Sequence, residues 1–192
     1  MIGHRVIKTR TTSSSKGSLW LFRFGLVLLA TLCSMTPAAL SQTPPNVWRS
    51  ATEAELHALL PARAAVGKEH IETEGRSASG VTNGHGKFVA GIVLITAGYS
   101  ADGKYSHYLI AQVPIQIGEV SLPAGEYVFG WQRGDDQLSV HFYDAATGNP
   151  RGSIEATRIA NTSRVESFKI WPPSTKSLIQ VGRFGMPYRI QK

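Results

Sequence analysis

The fold is set by one stretch of sequence, residues 126–143, which reads EYVFGWQRGDDQLSVHFY. Apolar side chains occupy every second position in each half: Tyr127, Phe129 and Trp131, then Leu138, Val140 and Phe142. Strict alternation is typical of a β-strand with one buried face. The polar run Arg133–Asp136 between the halves predicts a hairpin. We expect the three aromatic residues to face the core, opposite the apolar residues of the partner strand, and the other face to be wet.

The segments on either side of this hairpin also have the character of strands. Residues 87–96 (KFVAGIVLIT) are apolar on both alternating faces, which predicts a central strand covered on both sides. Pro114 interrupts the apolar run 108–117 and predicts a bend or an edge, since proline cannot donate to a strand ladder. Further short strands are expected at 153–158, 167–171, 177–183 and 188–191. About nine strands separated by turn signals predict a single, mainly β domain, either an antiparallel β-sandwich or a partly open barrel.

A corner motif at residues 117–127 (IGEVSLPAGEY) leads into the hairpin segment 126–143. Pro123 and Gly125 favour a tight corner between two strands. Leu122 is expected to plug the core, and Tyr127 to begin the next strand. Over about residues 113–142 the chain resembles exported bacterial β-domains of unknown function that carry a Leu-Pro-Ala-Gly-x-Tyr corner between strands. The resemblance implies a β fold and export, and it implies no activity.

One short helix is expected before the strands. Residues 50–53 (SATE) have the spacing of a capping box, in which Ser50 caps the helix and Glu53 reaches back to it. Ala54 and three leucines then fall near one face, and Pro61 ends the helix. The chain is thus divided into a signal peptide (1–41), an extended lead-in with a short helix (42–65) and a β-rich domain (66–192).

Residues 1–41 have the organisation of an export signal. Basic residues without a single acid precede an apolar run from Phe24 to Met35. Ala39–Ser41 then matches the small-x-small pattern, which predicts cleavage before Gln42. A retained transmembrane anchor is the alternative, but a span of about 20 apolar residues would have to include Arg23 and Pro37.

Removal of this leader changes the charge and the cysteine content. Five of the 20 Lys and Arg, and none of the 13 Asp and Glu, precede Gln42, so 15 basic and 13 acidic residues leave a net charge of +2. That charge and the scattered basic residues argue against nucleic-acid binding. Cys33 leaves with the leader. Lipidation of Cys33 is the alternative, but a lipoprotein signal prefers a small residue before the cysteine, and Leu32 stands there. The mature chain then has no disulfide and no thiolate.

Five histidines remain as candidates for chemistry: His57, His70, His85, His107 and His141. None forms the closely spaced pairs typical of zinc sites, so neither a metal nor a cofactor is predicted. No serine lies in a Gly-x-Ser-x-Gly elbow, and the glycine-rich loop 80–86 lacks the Gly-Lys-Ser/Thr of a phosphate loop. No catalytic residue is therefore assigned. His107 and His141, which could meet across strands, and Tyr143 are the candidates for a binding surface.

These features predict an exported module, periplasmic or extracellular, that binds or supports a component of the cell envelope without catalysis. Its partner would be an envelope protein or a glycan, with no nucleic acid and no stable membrane span after leader removal. The alternative is a small exported hydrolase with catalytic residues dispersed along the chain. A cavity that holds a histidine within hydrogen-bond reach of a serine or an aspartate would favour the hydrolase. A flat apolar patch or an open sheet edge would favour the module.

Overall fold

The computed structural model of the protein describes residues 47–96, 104–160 and 165–191. The predicted leader, the residues up to 46 and most of the turn predicted at 100–104 lie outside them. The described elements are helix α1 (Glu53–Leu59) and the strands β1 (Arg49–Ser50), β2 (Arg63–Val66), β3 (Glu69–Thr82), β4 (Phe88–Leu94), β5 (His107–Ala111), β6 (Ile115–Ile117), β7 (Val120–Leu122), β8 (Gly125–Arg133), β9 (Gln137–Asp144), β10 (Pro150–Arg158), β11 (Glu166–Trp171), β12 (Leu178–Gly182) and β13 (Phe184–Ile190).

The strands form a mainly antiparallel architecture with the order β1-β3-β4-β5-β8-β9-β10-β13-β12-β11. Outside this path, β2 pairs with β3, and the β6–β7 hairpin is attached to β13. The sheet curls until β11, at one end of the order, packs against β3 near the other. The protein is therefore mainly β, with a nearly closed, barrel-like antiparallel sheet and one short helix among the described residues.

A serine hydroxyl links β11, at one end of the strand order, to β3, which lies next to the other end. The backbone N–H of Ile170 on β11 donates to Ser79 Oγ on β3 at 2.9 Å. Ser79 is 3 % exposed. Because this N–H lies away from water, it would have no acceptor without the Ser79 hydroxyl. The bond ties β3 to a strand that is not its neighbour in the sheet order.

A wide irregularity in β3 precedes this bond. Glu74 pairs with Val93 and Ser79 pairs with Gly91, so four residues of β3 face a single residue of β4. Ser77 compensates for the interrupted ladder, since its Oγ accepts from Val93 N at 2.9 Å and donates to Glu74 O at 2.6 Å. Bulges increase local bending, and this one lies where β3 has to turn towards β11.

The inner face of the sheet carries the main core. Among its largest fully buried side chains are Leu109, Ile117, Phe129, Phe142, Met186 and Tyr188. Gly91 on β4 provides room for the ring of Phe168, because a Cβ at this position would lie 2.9 Å from Phe168 Cζ. The interior is thus filled by large side chains that a small residue on the wall accommodates.

The outer face of β4, β5 and β8 carries a second core. Ala90, Ile92 and Leu94 are buried there together with Leu56 and Leu60 from α1 and its C-terminal cap. Val89 on the same strand belongs to the inner core. The expectation that the apolar run 87–96 contains a central strand covered on both sides is confirmed for Phe88–Leu94, and the helix lies on one of those sides.

The predicted hairpin is present, with strands Gly125–Arg133 and Gln137–Asp144. Phe129 pairs with Phe142 and Trp131 with Val140, and Tyr127 and Phe129 are buried as expected. Trp131 is only partly buried. At the preceding corner Leu122 is fully buried, and the Tyr127 hydroxyl donates to the Pro123 carbonyl at 2.7 Å.

Two local predictions were wrong. The helix is capped by Thr52 with Glu55 in the capping box, rather than by Ser50 with Glu53, because Ser50 is already paired to Val81 in β1. The glycine-rich loop placed at 80–86 begins only after Thr82, since Gly80 lies within β3. Strand pairing begins at Arg49, within the segment 42–65 that was expected to hold the lead-in and the helix.

The two ends of the curled sheet differ. At one end the β6–β7 hairpin covers the interior, with Ile115, Ile117 and Leu122 fully buried in the inner core. At the other end, the C-terminal ends of β4, β8, β10 and β12 meet the N-terminal ends of β5, β9, β11 and β13. No described strand covers this second end.

The bond between Ser79 and Ile170 predicts a measurable contribution to stability. Ser79→Ala leaves the buried Ile170 N–H without its acceptor, so we expect the free energy of unfolding to fall by about 1–3 kcal/mol in denaturant titrations. Ser139→Ala is the matched control, because Ser139 Oγ donates to the exposed Glu155 carboxylate on the outside of β9. Its expected change is within about 0.5 kcal/mol. Equal losses in the two variants would contradict the role of Ser79.

Candidate functional site

A cavity of about 610 Å³ lies at the second end of the sheet, which no described strand covers. Its walls come from the strand ends that meet there, and its apolar lining includes Val93, Leu94, Trp131, Leu138, Val181 and Phe184. Val165 also lines it and is 54 % exposed. Binding sites for small molecules usually have volumes of about 300–1,000 Å³ and mostly apolar walls. We call this space the end cavity.

His107 lies in the wall of the end cavity at the start of β5. It is 4 % exposed, and its ring stacks on Phe129 with centroids 4.7 Å apart and planes at 4°. The ring of Phe168 also lies against it, with centroids 5.1 Å apart and planes at 50°. Strand pairing explains the stack, because His107 and Phe129 are direct partners on β5 and β8.

The two ring nitrogens of His107 have different surroundings. Nδ1 lies 2.8 Å from Ser106 Oγ, which also lies 3.3 Å from the Phe129 carbonyl oxygen. Nε2 is buried and has no hydrogen-bond partner among the described residues. If the Ser106 hydroxyl donates to the Phe129 carbonyl, it accepts a hydrogen bond from Nδ1–H of His107. If it donates to Nδ1 instead, the ring proton of His107 lies on Nε2. The ring is therefore oriented from one side only.

Burial lowers the pKa of His107 from 6.5 to about 3, because the charged ring would lose its water. The backbone of Ser167 opposes this shift in pKa more weakly. It forms no hydrogen bond of normal geometry with Nε2. His107 is therefore neutral at neutral pH, and it contributes an uncharged ring to the cavity wall.

Arginines dominate the charged rim of the end cavity. Arg133, Arg158 and Arg183 line it, together with the carboxylates of Asp135 and Glu166. Arg158 Nη1 lies 3.6 Å from Asp136 Oδ1, a pair whose side chains are 54 % and 87 % exposed and which is therefore weak. Arg133 and Arg183 form no ion pair within the described part of the chain. The cavity thus has apolar walls below a rim that carries guanidinium groups.

The three predicted site residues do not come together. His107 faces the inside of the sheet beside Phe129, whereas His141 and Tyr143 alternate with the buried Phe142 and face outward. His141 Nδ1 lies 2.7 Å from Ser153 Oγ on the neighbouring strand. Tyr143 packs edge-on against Tyr105 with centroids 5.7 Å apart, so its ring joins the outer core. The suggestion that His107 and His141 meet was wrong, because they lie on opposite faces.

Sequence reasoning missed the end cavity itself. Its charged residues Arg133, Arg158 and Arg183 come from separate strand ends, and no motif links them. One signal was present: each arginine follows or ends an alternating segment. Their convergence nevertheless depends on the strand order, which local pattern does not give.

Two common kinds of site or segment are absent from the described residues. No group of three or more His, Cys, Asp or Glu side chains is arranged to hold a metal ion in residues 47–96, 104–160 and 165–191. The single helix in those ranges is too short to cross a membrane. No family model, curated protein or solved structure matches the chain.

The burial of neutral His107 predicts a pH-dependent stability. The unfolded chain takes up a proton near pH 6.5, whereas the folded protein does so only near pH 3, so stability is lost as the pH falls through this window. The expected slope reaches about 1.4 kcal/mol per pH unit. Denaturant titrations between pH 6.5 and 5 would measure it. Glu55 and Asp144, with pKa values lowered to about 2, are still ionised in this range.

Two variants assign this slope. His107→Phe fits an aromatic environment and removes the titrating group, so its stability should vary less over the same pH range. His85→Gln is the control, because His85 is exposed in the β3–β4 loop and its ring is in water in both states. A wild-type slope in His107→Phe would show that other groups cause it.

Proposed function

We propose that this chain is an exported, non-catalytic module that binds a small, largely apolar molecule in the end cavity. The observation that carries the proposal is a cavity of about 610 Å³ with mostly apolar walls, at the end of the sheet that no described strand covers. Removing apolar surface from water drives such binding at about 25 cal/mol per Å². The partner classes expected from the sequence, an envelope protein or a glycan, remain predictions beside it.

We also infer that the architecture is a partly open barrel rather than a β-sandwich. The Ser79–Ile170 bond and the packing of β11 on β3 support this choice, because they link one end of a single strand order to the strand next to its other end. In a sandwich, two separate sheets would face each other across the core. A barrel with one covered end supplies the concave site that the proposed function needs.

Export rests on the sequence of residues 1–41, with its basic start, apolar run and small-x-small site. We expect the protein recovered from outside the cytoplasm to begin at Gln42, and N-terminal sequencing would measure this. An intact Met1 on protein that stays with the cytoplasmic fraction would contradict export. An intact N-terminus on membrane-bound protein would favour the retained anchor instead.

Nile red, an uncharged fluorescent dye, tests the end cavity. We expect saturable binding with increased emission, because the dye leaves water for an apolar site. Val93→Trp places a large ring in the cavity wall and should weaken dye binding at least about tenfold, equivalent to about 1.4 kcal/mol. Fluorescence titration measures this, and circular dichroism checks that the variant is folded.

Val47→Trp is the matched control, since Val47 is exposed and does not line the end cavity. It should bind Nile red as the unchanged protein does. Absence of saturable dye binding, or equal binding to both tryptophan variants, would contradict the proposed function.

A small hydrolase is the second candidate, and one observation favours it. Ser106 Oγ lies 2.8 Å from His107 Nδ1 in the wall of the cavity. Efficient general bases have a pKa near the working pH, whereas that of His107 is lowered to about 3. No carboxylate orients Nε2 among the described residues. The pair is therefore a weak nucleophile–base unit, and ester turnover abolished by Ser106→Ala would reverse the order of the two candidates.

A further inference from the structure

We propose that the ligand of the end cavity is an anionic amphiphile, with its apolar chain inside the cavity and its carboxylate or phosphate head at Arg133 and Arg183. This inference rests on the proposed function and adds the chemical class of the ligand. Two features of the same cavity support it: apolar walls, and two rim arginines, Arg133 and Arg183, that form no ion pair within the described residues.

Strand register brings the arginines to one side of the opening. Arg133 ends β8, Arg158 ends β10 and Arg183 lies between β12 and β13. Arg158 is the Cα partner of Phe184, and the carbonyl of Arg183 accepts from Ile159 N at 2.8 Å, so these two strand ends are adjacent. Arg133 is the last residue of β8, whose hairpin partner β9 pairs with β10. Three cations from three strand ends therefore lie on one side of the opening.

Three acids lie near the three arginines of this opening, and one ion pair forms among them within the described residues. Asp136 is engaged with Arg158, and Asp135 lies beside it in the exposed β8–β9 turn. Glu166 begins β11 opposite Gly182, one residue before Arg183. Arg133 and Arg183 form no ion pair within the described part of the chain. These two guanidinium groups favour a ligand that brings a single negative charge.

Guanidinium chemistry suits such a head group. Arginine presents several N–H donors in a planar fork that matches the two oxygens of a carboxylate or phosphate. Hydrogen bonds between two charged groups are stronger than those between neutral ones. A neutral amphiphile would gain only the burial of its chain, and a cationic one would meet like charges at the rim. The arginines should therefore select among ligands with identical chains.

Displacement of Nile red by three probes with the same alkyl chain measures this selection. The probes are dodecanoate, dodecanol and dodecylamine, used below the concentrations at which they form micelles. We expect dodecanoate to bind about tenfold more tightly than dodecanol, and dodecylamine to bind most weakly. Because the arginines are exposed, the preference should shrink as salt is added. Dodecyl phosphate tests whether a phosphate head is accepted as well as a carboxylate.

The double variant Arg133→Gln with Arg183→Gln assigns the preference to these side chains. It should bring dodecanoate to within about threefold of dodecanol and leave dodecanol affinity unchanged, since it removes charge but no apolar wall. Arg63→Gln with Arg189→Gln is the matched control, because it removes the same charge from exposed positions that do not line the cavity. The control should keep the full preference.

The outcomes separate this inference from the proposed function. Saturable Nile red binding with equal affinity for dodecanoate and dodecanol would overturn the inference and leave the proposed function standing. A preference that persists in the double variant, or disappears in the control, would also overturn it. Failure of Nile red to bind at all would overturn both.

Discussion

The two end strands of an open sheet carry unpaired backbone groups, and this protein satisfies one of them with the hydroxyl of Ser79. An exposed edge is a template for unwanted pairing, and a buried N–H without an acceptor costs free energy. The bond from Ile170 N to Ser79 Oγ removes that cost without requiring β3 and β11 to form a regular ladder. A side chain can reach across where the strand register does not match. The bond lies where the curled sheet brings β11 against β3.

Closure of the sheet creates an interior that the sequence fills unevenly. The β6–β7 hairpin covers one end and contributes fully buried residues such as Ile115 and Leu122. Towards the other end, Phe129, Phe142 and Phe168 form a tilted aromatic group. The cavity lies at that end, where the described residues include no hairpin equivalent to β6–β7.

The chemistry of the end cavity follows from how each group is buried. His107 lies deep beside Phe129, so desolvation keeps it neutral. Arg133 and Arg183 lie exposed at the rim, where water can hydrate the guanidinium groups. A hydrated charge needs no ion-pair partner to be stable there. Apolar walls below charged groups form a gradient from a dry interior to a wet opening. An amphiphilic ligand has the same gradient along its length.

Local patterns predicted much of the fold. Alternation within residues 126–143 gave the hairpin, and the continuous apolar run around Val89 and Ile92 gave a strand buried on both faces. Strand β3 was missed, because Glu69–Thr82 is polar and rich in glycine and serine, and its extended backbone is held by β2 and β4. The helix cap was displaced for a similar reason, since pairing with Val81 places Ser50 in β1.

The sequence by itself determined the β character of the chain, the hairpin, the central strand and the corner at Pro123, because each depends on side chains a few residues apart. The tertiary structure alone decided the closure of the sheet, the end cavity and the opposite orientations of His107 and His141. These features form where strands distant in sequence meet. Which strands pair depends on burying the apolar side chains of both faces of the sheet at once, and a single local segment does not contain that information.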